Sequence, residues 1–273
     1  MSLFLRTCLF CASAAGAWAG ILSITETNAD PGSPAIIEPR ESSNGSLFGE
    51  DAFAFVDRSH EYNGVAFDAS GHLTTGSSTD PAISSFVGLP SYLLGNLYIA
   101  IANENKDNAG YTLTIQVDSP SYVYLLIDNR VGDDNNKDIP ALGSGGVGVM
   151  PWVADMGFIL MNTGLSPLGQ SDFVGLDQGA QTIISPGDRT HLSPGLAIGA
   201  GNSVDQFFSV YRMSVASSIT LGEQNDTRNR NIYGVVVAPT PEPATWIVVG
   251  LVIGAGLLRR KRSRGRQCCC NEA

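Results

Sequence analysis

The segment YTLTIQVDSPSYVYLLID, residues 111–128, decides the fold class of this chain. Between Tyr111 and Asp118, apolar Leu, Ile and Val alternate with Thr and Gln, which is the two-residue period of a strand with one buried face. A second strand-like run, SYVYLLID, follows the turn-forming pair Ser119-Pro120. The pattern predicts two antiparallel strands joined as a β-hairpin.

Similar runs occur on both sides of this segment, separated by clusters of Gly, Pro, Asn, Asp and Ser. They span residues 52–58, 64–68, 96–103, 157–162, 206–216 and 232–238. No window here sustains a helical apolar face over three turns, so we expect an all-β fold, a β-sandwich of jelly-roll-like arrangement. The absence of repeats predicts one domain over residues 20–238, in which the Pro-, Ser- and Asn-rich stretch 28–48 is interpreted as a loose leader.

The distribution of charge limits the partners of this domain. The chain has 273 residues and a formal net charge of −10. Residues 20–240 contain 24 acidic and 9 basic side chains, a local net charge of −15. Such a domain repels phosphate backbones, so nucleic acid is not an expected partner. All five cysteines lie near the two ends of the chain, which leaves the domain without a disulfide, a thiolate metal site or a cysteine nucleophile.

The first residues, MSLFLRTCLFCASAAGAWAG, have the layout of a secretory signal peptide, residues 1–19. Arg6 gives a positive start, an apolar stretch follows, and Ala17-Trp18-Ala19 is a cleavage site of the small-x-small type. We therefore predict cleavage between Ala19 and Gly20 after export through the Sec translocon. A buried N-terminal helix is the alternative interpretation.

An uncharged apolar segment, residues 244–258, lies near the other end. As a helix rising about 1.5 Å per residue it is shorter than a bilayer core of about 30 Å, so its length also allows an interfacial or buried helix. The flanks favour a transmembrane helix, because Trp246 suits one membrane interface and the basic tail 259–266 suits the other. That tail begins with Arg259, Arg260, Lys261 and Arg262. The positive-inside rule keeps it in the cytoplasm and the β domain outside.

The tripeptide Pro241-Glu242-Pro243, the short apolar helix and the Arg-rich end together resemble the PEP-CTERM sorting signal over residues 239–266. In that family an exosortase, a membrane-embedded processing enzyme, recognises the tripeptide. The resemblance implies transient anchoring in the inner membrane, cleavage near the tripeptide, and delivery of the domain to the cell surface or to an exopolysaccharide matrix. Residues 267–273, QCCCNEA, are interpreted as a cytoplasmic remnant.

The loop that follows the second predicted strand, residues 128–138, concentrates the hard oxygen ligands that calcium prefers. The candidate ligands are Asp128, Asp133, Asp134, Asn136 and Asp138. An EF-hand register fails, because Ile139 and Gly145 occupy the positions that need Gly and Glu. A different kind of calcium site and an ordinary Asn/Asp turn cluster both remain open.

Carbohydrate binding and catalysis are further hypotheses. Sandwich lectins combine exposed aromatic rings with Asp and Asn hydrogen-bonding groups, and the aromatic candidates are Tyr62, Tyr92, Trp152 and Tyr233. The sequence HEYNG, residues 60–64, lacks the second histidine of a zinc protease, and His60, His72 and His191 share no metal spacing. The pattern Gly143-x-Gly145-x-x-Gly148 lacks the βαβ unit of a dinucleotide site.

The sequence therefore favours an exported, exosortase-sorted surface or matrix protein whose β domain is structural or adhesive and not an enzyme. The alternative is a calcium-assisted carbohydrate-binding module associated with exopolysaccharide. A glycoside hydrolase that uses two carboxylates is a third, less favoured hypothesis. No cofactor is expected, apart from calcium under the second hypothesis.

Overall fold

The computed structural model describes residues 20–39, 54–58, 60–77, 80–177, 203–226, 228 and 230–240. Contacts divide the chain into two units, Met1–Pro239 and Thr240–Ala273, and the described residues belong to the first unit apart from Thr240. The predicted signal peptide, sorting tripeptide, apolar segment and basic tail lie outside the described residues. Within the described ranges, no helix has the length and apolar character needed to cross a membrane.

Short β-strands are the main regular elements of the described chain, which confirms the all-β prediction. In chain order they are β1 (Ile21–Thr27), β2 (Ile36–Pro39), β3 (Glu61–Asn63), β4 (Val65–Phe67), β5 (Leu73–Thr74), β6 (Gly76–Ser77), β7 (Ser85–Val87), β8 (Leu97–Ala100), β9 (Thr112–Val117), β10 (Ser121–Asp128), β11 (Ile159–Leu160), β12 (Phe173–Asp177), β13 (Ser203–Val204), β14 (Gln206–Val215), β15 (Ser218–Leu221) and β16 (Gly234–Pro239). Among the described residues the helical elements are α1 (Pro151–Asp155) and two 3-10 turns, Ser91–Leu93 and Asn103–Asp107.

The larger sheet has eight strands in the order β2-β8-β16-β10-β14-β12-β3, with β11 also pairing against β14. Every pair in it is antiparallel. Strand β10 lies at the centre and pairs with β14 along its whole length, from Ser121 opposite Val215 to Asp128 opposite Phe208. Strand β2 falls within the predicted loose leader, and the structure pairs it with β8 at the sheet edge.

A second sheet has three antiparallel strands in the order β1-β9-β15. Alternate residues of β9 are buried, Leu113, Ile115 and Val117. They belong to the same hydrophobic core as Val123 and Leu125 of β10. The two sheets therefore share one core in a sandwich-like arrangement, while the jelly-roll-like connection stays a prediction.

The predicted hairpin between residues 111–118 and 121–128 is wrong. Strand β9 pairs with β1 and β15, whereas β10 pairs with β14 and β16. The chain passes from one sheet to the other at Ser119-Pro120, and Ser121 Oγ donates to the Ser119 carbonyl at 2.8 Å across this bend. Period-two alternation identifies the buried face of each strand but not the strand that it pairs with, so the sequence left this choice undetermined.

Two small sheets, β5-β4-β7 and β13-β6, add a second hydrophobic cluster. Its members are Val65, Phe67, Leu73, Phe173, Val204 and Phe207. Phe207 and Phe173 come from β14 and β12 of the larger sheet, so the cluster joins the small strands to that sheet. Both faces of the larger sheet are therefore covered where this cluster lies.

Replacing Leu125 at the centre of β10 tests the shared core. The side chain is 0 % exposed, so Leu125→Ala should lower the free energy of unfolding by about 2–5 kcal/mol, measured by urea denaturation. Leu22 on β1 is 66 % exposed, and Leu22→Ala should change it by less than about 0.5 kcal/mol. Equal losses of unfolding free energy in the two variants would contradict the assignment of Leu125 to this core.

Candidate functional site

Asp128, the first predicted calcium ligand, ends β10 and is completely buried. The Arg130 guanidinium donates to both of its carboxylate oxygens, with the Nε–Oδ1 distance at 2.9 Å. Oδ2 also accepts the backbone N–H of Asn231 at 3.1 Å. A guanidinium that binds both oxygens compensates the buried charge, so the carboxylate joins the loop 128–138 to the segment before β16.

Two other predicted ligands form hydrogen bonds within their own loop. Asp133 Oδ1 accepts the backbone N–H of Asn135 at 3.0 Å, and Asp138 Oδ2 accepts from the Asn135 side chain at 2.7 Å. The Asn135 side-chain oxygen accepts the Lys137 N–H at 3.0 Å. These are the local side-chain bonds of an Asn/Asp turn.

The remaining two predicted ligands fasten the loop to other parts of the chain. Asn136 Oδ1 accepts the backbone N–H of Phe207 in β14 at 3.1 Å. Asp134, whose backbone has a φ of 71°, forms an ion pair with Arg230. That φ lies in the left-handed region, which Asp adopts more readily than most side chains.

The five predicted ligands do not converge on one point. No group of three or more His, Cys, Asp or Glu side chains within the described ranges is placed to hold a metal ion. Asp128 and Asp134 have arginine partners, and Asp133 and Asp138 bond within the loop. This geometry favours the turn-cluster interpretation, and calcium binding stays a prediction.

Arg228 and Arg230, which bond to Asp226 and to the loop 128–138, lie in the segment NDTRNRN, residues 225–231. This segment was not selected from the sequence alone. Asp226 accepts from Arg228 Nε and Nη2, both at 2.7 Å, and from the Gly132 backbone N–H at 3.0 Å. Arg230 Nε donates to the Arg130 carbonyl at 3.0 Å. One Asp followed by two Arg at alternate positions of a polar segment was the available signal, but the partners of these side chains lie nearly 100 residues away in sequence.

Three of the four predicted aromatic candidates are structural. Tyr62 and Tyr233 are 0 % exposed. Trp152 donates its indole N–H to the Glu223 carbonyl at 2.8 Å, and its ring packs edge-on against Phe158 and Tyr233. These rings fill the core or its margin, so they are not available to stack on a sugar.

Tyr92, the fourth candidate, is half-buried at the surface. Its ring stacks on Tyr124 with centroids 5.2 Å apart, and its hydroxyl donates to Asp172 Oδ2 at 2.9 Å. Burial, together with the Asp172 carboxylate, raises the pKa of the Tyr92 hydroxyl far above its ordinary value, so it remains a donor. Thr163 Oγ1 donates to the other Asp172 oxygen at 3.0 Å.

Tyr92 lines a cavity of about 340 Å³. The other lining residues are Val87, Gly88, Leu89, Ser91, Thr163 and Leu165. A mainly apolar wall with a few hydroxyl groups is the usual composition of a small-ligand pocket, and this volume is at the lower end of the usual range. The cavity and the adjoining tyrosines are the candidate binding surface of the domain.

Arg212 and Tyr122 continue this surface on the larger sheet, and sequence reasoning selected neither. The Arg212 guanidinium carbon lies 4.7 Å from the centroid of the Tyr122 ring, which packs edge-on against Tyr124. Burial raises the pKa of the Tyr124 hydroxyl, and the nearby guanidinium opposes that rise. The alternation of β10 was the missed signal, since it places Tyr122 and Tyr124 on the face opposite Val123 and Leu125.

A second, shallower cavity of about 640 Å³ is lined by residues 28–31, Glu104 and residues 107–109. Two of its three acidic side chains have cationic neighbours, while Asp30 Oδ1 accepts the backbone N–H of Gly32 at 3.1 Å. Glu104 pairs with Arg58, and Asp107 Oδ2 lies 3.4 Å from Lys106 Nζ. These carboxylates therefore stabilise the 3-10 turn Asn103–Asp107 and its surroundings.

The two motifs that resembled enzyme signatures have structural roles. A Cβ at Gly64 would lie 2.2 Å from the Val87 carbonyl oxygen, so no side chain fits at the end of HEYNG. In the glycine-rich turn, the backbone amides of Gly145 and Gly146 donate to the two carboxylate oxygens of Asp155, at 2.7 and 3.0 Å. His60 is buried against Phe55, and His72 is 60 % exposed.

Comparisons with known proteins found few similarities to this chain. No family model matches the sequence, and no curated protein matches it. Among solved structures, the chain is similar to a β-glucuronidase from glycoside hydrolase family 2, with a TM-score of 0.39 and 15 % sequence identity. The match covers 79 % of this chain and 14 % of the enzyme. A likeness of this size does not define a common fold.

The Asp226–Arg228 pair predicts an acid-sensitive contribution to stability. Burial alone would raise the Asp226 pKa, but bonds from Arg228 and from the Gly132 amide outweigh it and hold the pKa below its usual value. A folded-state pKa below the unfolded one means that the contribution is present above the usual value of about 3.9 and is lost as pH falls through the folded pKa. In urea denaturation, Asp226→Asn should lower the free energy of unfolding at neutral pH by about 1–3 kcal/mol.

The same variant should lose less stability than the parent chain between neutral pH and acid, because the titrating group is gone. Asp138→Asn, at an exposed position of the neighbouring loop, is the control and should follow the parent curve. Parallel acid curves for the parent chain and Asp226→Asn would contradict this assignment.

Proposed function

We propose that this chain is an exported surface or matrix protein, released from the inner membrane by an exosortase, whose β domain binds or scaffolds without catalysis. The PEP-type tail and the predicted signal peptide support export. One observation supports the non-catalytic role: the buried aspartates form hydrogen bonds with other groups of their own domain. Asp57, Asp128, Asp172 and Asp226 all accept hydrogen bonds from backbone amides, hydroxyls or arginines of their own domain.

Glycosidic catalysis needs a different arrangement of carboxylates. Two carboxyl groups must face a common cleft, one available as a proton donor and the other as a base or nucleophile. Asp128 is occupied by Arg130, and Asp172 by Tyr92 and Thr163. Carboxylates committed in this way hold loops in place, which is the expected use in a binding or structural domain.

The sorting step is tested by replacing the acidic residue of the tripeptide. In a host that has its exosortase, the mature protein should lack the segment after the tripeptide, whereas Glu242→Ala should remain at full length in the inner membrane. Glu272→Ala, the matched change beyond the basic tail, should be processed normally. Immunoblots of membrane and surface fractions with a body-specific antibody give the readout, and normal processing of Glu242→Ala would overturn the proposal.

Carbohydrate binding is a second candidate function, favoured by the cavity beside Tyr92. An aromatic ring at the rim of a hydroxyl-bearing pocket suits a sugar, which has apolar ring faces and polar edges. Ser91 and Thr163 are exposed residues that provide such hydroxyls, although the Thr163 hydroxyl donates to Asp172 and is left as an acceptor. The calcium-assisted form of this hypothesis is not required by the geometry, because Asp128 and Asp134 already pair with arginines.

Retention of the full chain on an immobilised exopolysaccharide tests this candidate. We expect retention that survives EDTA and falls several-fold in Tyr92→Ala, since the stacking surface is removed. Ile139→Ala, at an apolar position 43 % exposed outside the cavity, should leave retention unchanged. Retention that is lost with EDTA and restored by calcium would favour the calcium-assisted form, and equal retention of parent and Tyr92→Ala would exclude this site.

A further inference from the structure

Arg212 occupies a distinctive position on the larger sheet. It lies in β14 opposite Tyr124 of β10 and opposite Ile159 of β11. Residues directly opposite on paired strands share a face, so Ile159, Arg212 and Tyr124 form a row across three strands. The guanidinium lies over the Tyr122 ring at 4.7 Å, a cation–π contact.

Arg212 differs from the other described arginines in its lack of an acidic partner. Arg58, Arg130, Arg228 and Arg230 each form an ion pair with an Asp or Glu. No carboxylate in the described part of the chain lies within ion-pair distance of Arg212, although its side chain is half-buried. Its planar fork of N–H donors is the geometry that binds a carboxylate through two parallel hydrogen bonds.

The surroundings of Arg212 combine apolar and aromatic surface with access to the cavity. Ile159 beside it is 53 % exposed, and Tyr122 is half-buried. Tyr92 stacks on Tyr124 and also lines the 340 Å³ cavity. A ligand that spans this surface would meet flat rings, hydroxyl groups and one cation.

We propose that Arg212 binds the carboxylate of an acidic sugar whose ring packs against the surface formed by Tyr122, Ile159 and Tyr92. This inference rests on the carbohydrate-binding candidate above and names its ligand class as a uronic-acid glycan. The domain is acidic overall, but charges more than about 8 Å away are largely screened at physiological salt. Recognition therefore depends on short-range contact with Arg212.

The test compares an oligogalacturonate with a neutral galactose oligomer of the same length, each titrated against the full chain by calorimetry. We expect the parent to bind the oligogalacturonate more tightly. Arg212→Gln should weaken that binding by about tenfold or more and leave binding of the neutral oligomer unchanged. Arg212→Lys keeps the positive charge but not the planar fork of N–H donors. It should weaken binding of the oligogalacturonate less than Arg212→Gln does.

Lys137→Gln is the matched control, because it removes one positive charge at an exposed position of the loop 128–138. It should leave both affinities unchanged, and thermal melting should show that all three variants are folded. No binding of the oligogalacturonate, or equal weakening by Lys137→Gln and Arg212→Gln, would overturn the inference. If the neutral oligomer still binds in that case, carbohydrate binding stands and only the acidic ligand is excluded.

Discussion

The structure depends on a central strand that has to be covered on both faces. Strand β10 pairs with β14 on one side and β16 on the other, and seven of its eight residues are buried. One face contributes Val123, Leu125 and Ile127 to the core shared with the three-stranded sheet. The opposite face carries Tyr122, Tyr124, Leu126 and Asp128, so a second set of segments must pack against it.

That second face accounts for the placement of both functional candidates. At its buried end Asp128 needs compensation for its charge, and Arg130 provides it while fixing the direction of the following loop. In the first half of the strand, Tyr124 is covered by Tyr92 and approached by Arg212. The same strand thus leads into a loop held by internal hydrogen bonds and borders a partly open aromatic surface in its first half. The first arrangement suits a scaffold, and the second suits contact with a ligand.

Local sequence patterns predicted the strands better than their partners. The period of two in residues 111–128 located β9 and β10, but it marks which face is buried and not which strand supplies the hydrogen bonds. The oxygen-rich loop 128–138 was recognisable from composition, whereas Arg230, which pairs with Asp134, is 96 positions away. Only the fold brings these groups together. Arg212 gave no local signal either, because its distinguishing property, the lack of a carboxylate within ion-pair distance among the described residues, depends on neighbours that the fold brings together.

The glycine-rich turn at 143–148 shows how a phosphate-binding fingerprint can arise without a nucleotide. Backbone amides of successive glycines can bind an oxyanion, and here they bond to a side chain of the same domain, because Asp155 is the last residue of the short helix α1 beside the turn. The Asp155 carboxylate accepts both amide hydrogen bonds that an external anion would need. The sequence pattern alone is typical of a cofactor-binding turn. In the folded chain, the amides of this turn already bond to a carboxylate that is covalently part of the same domain.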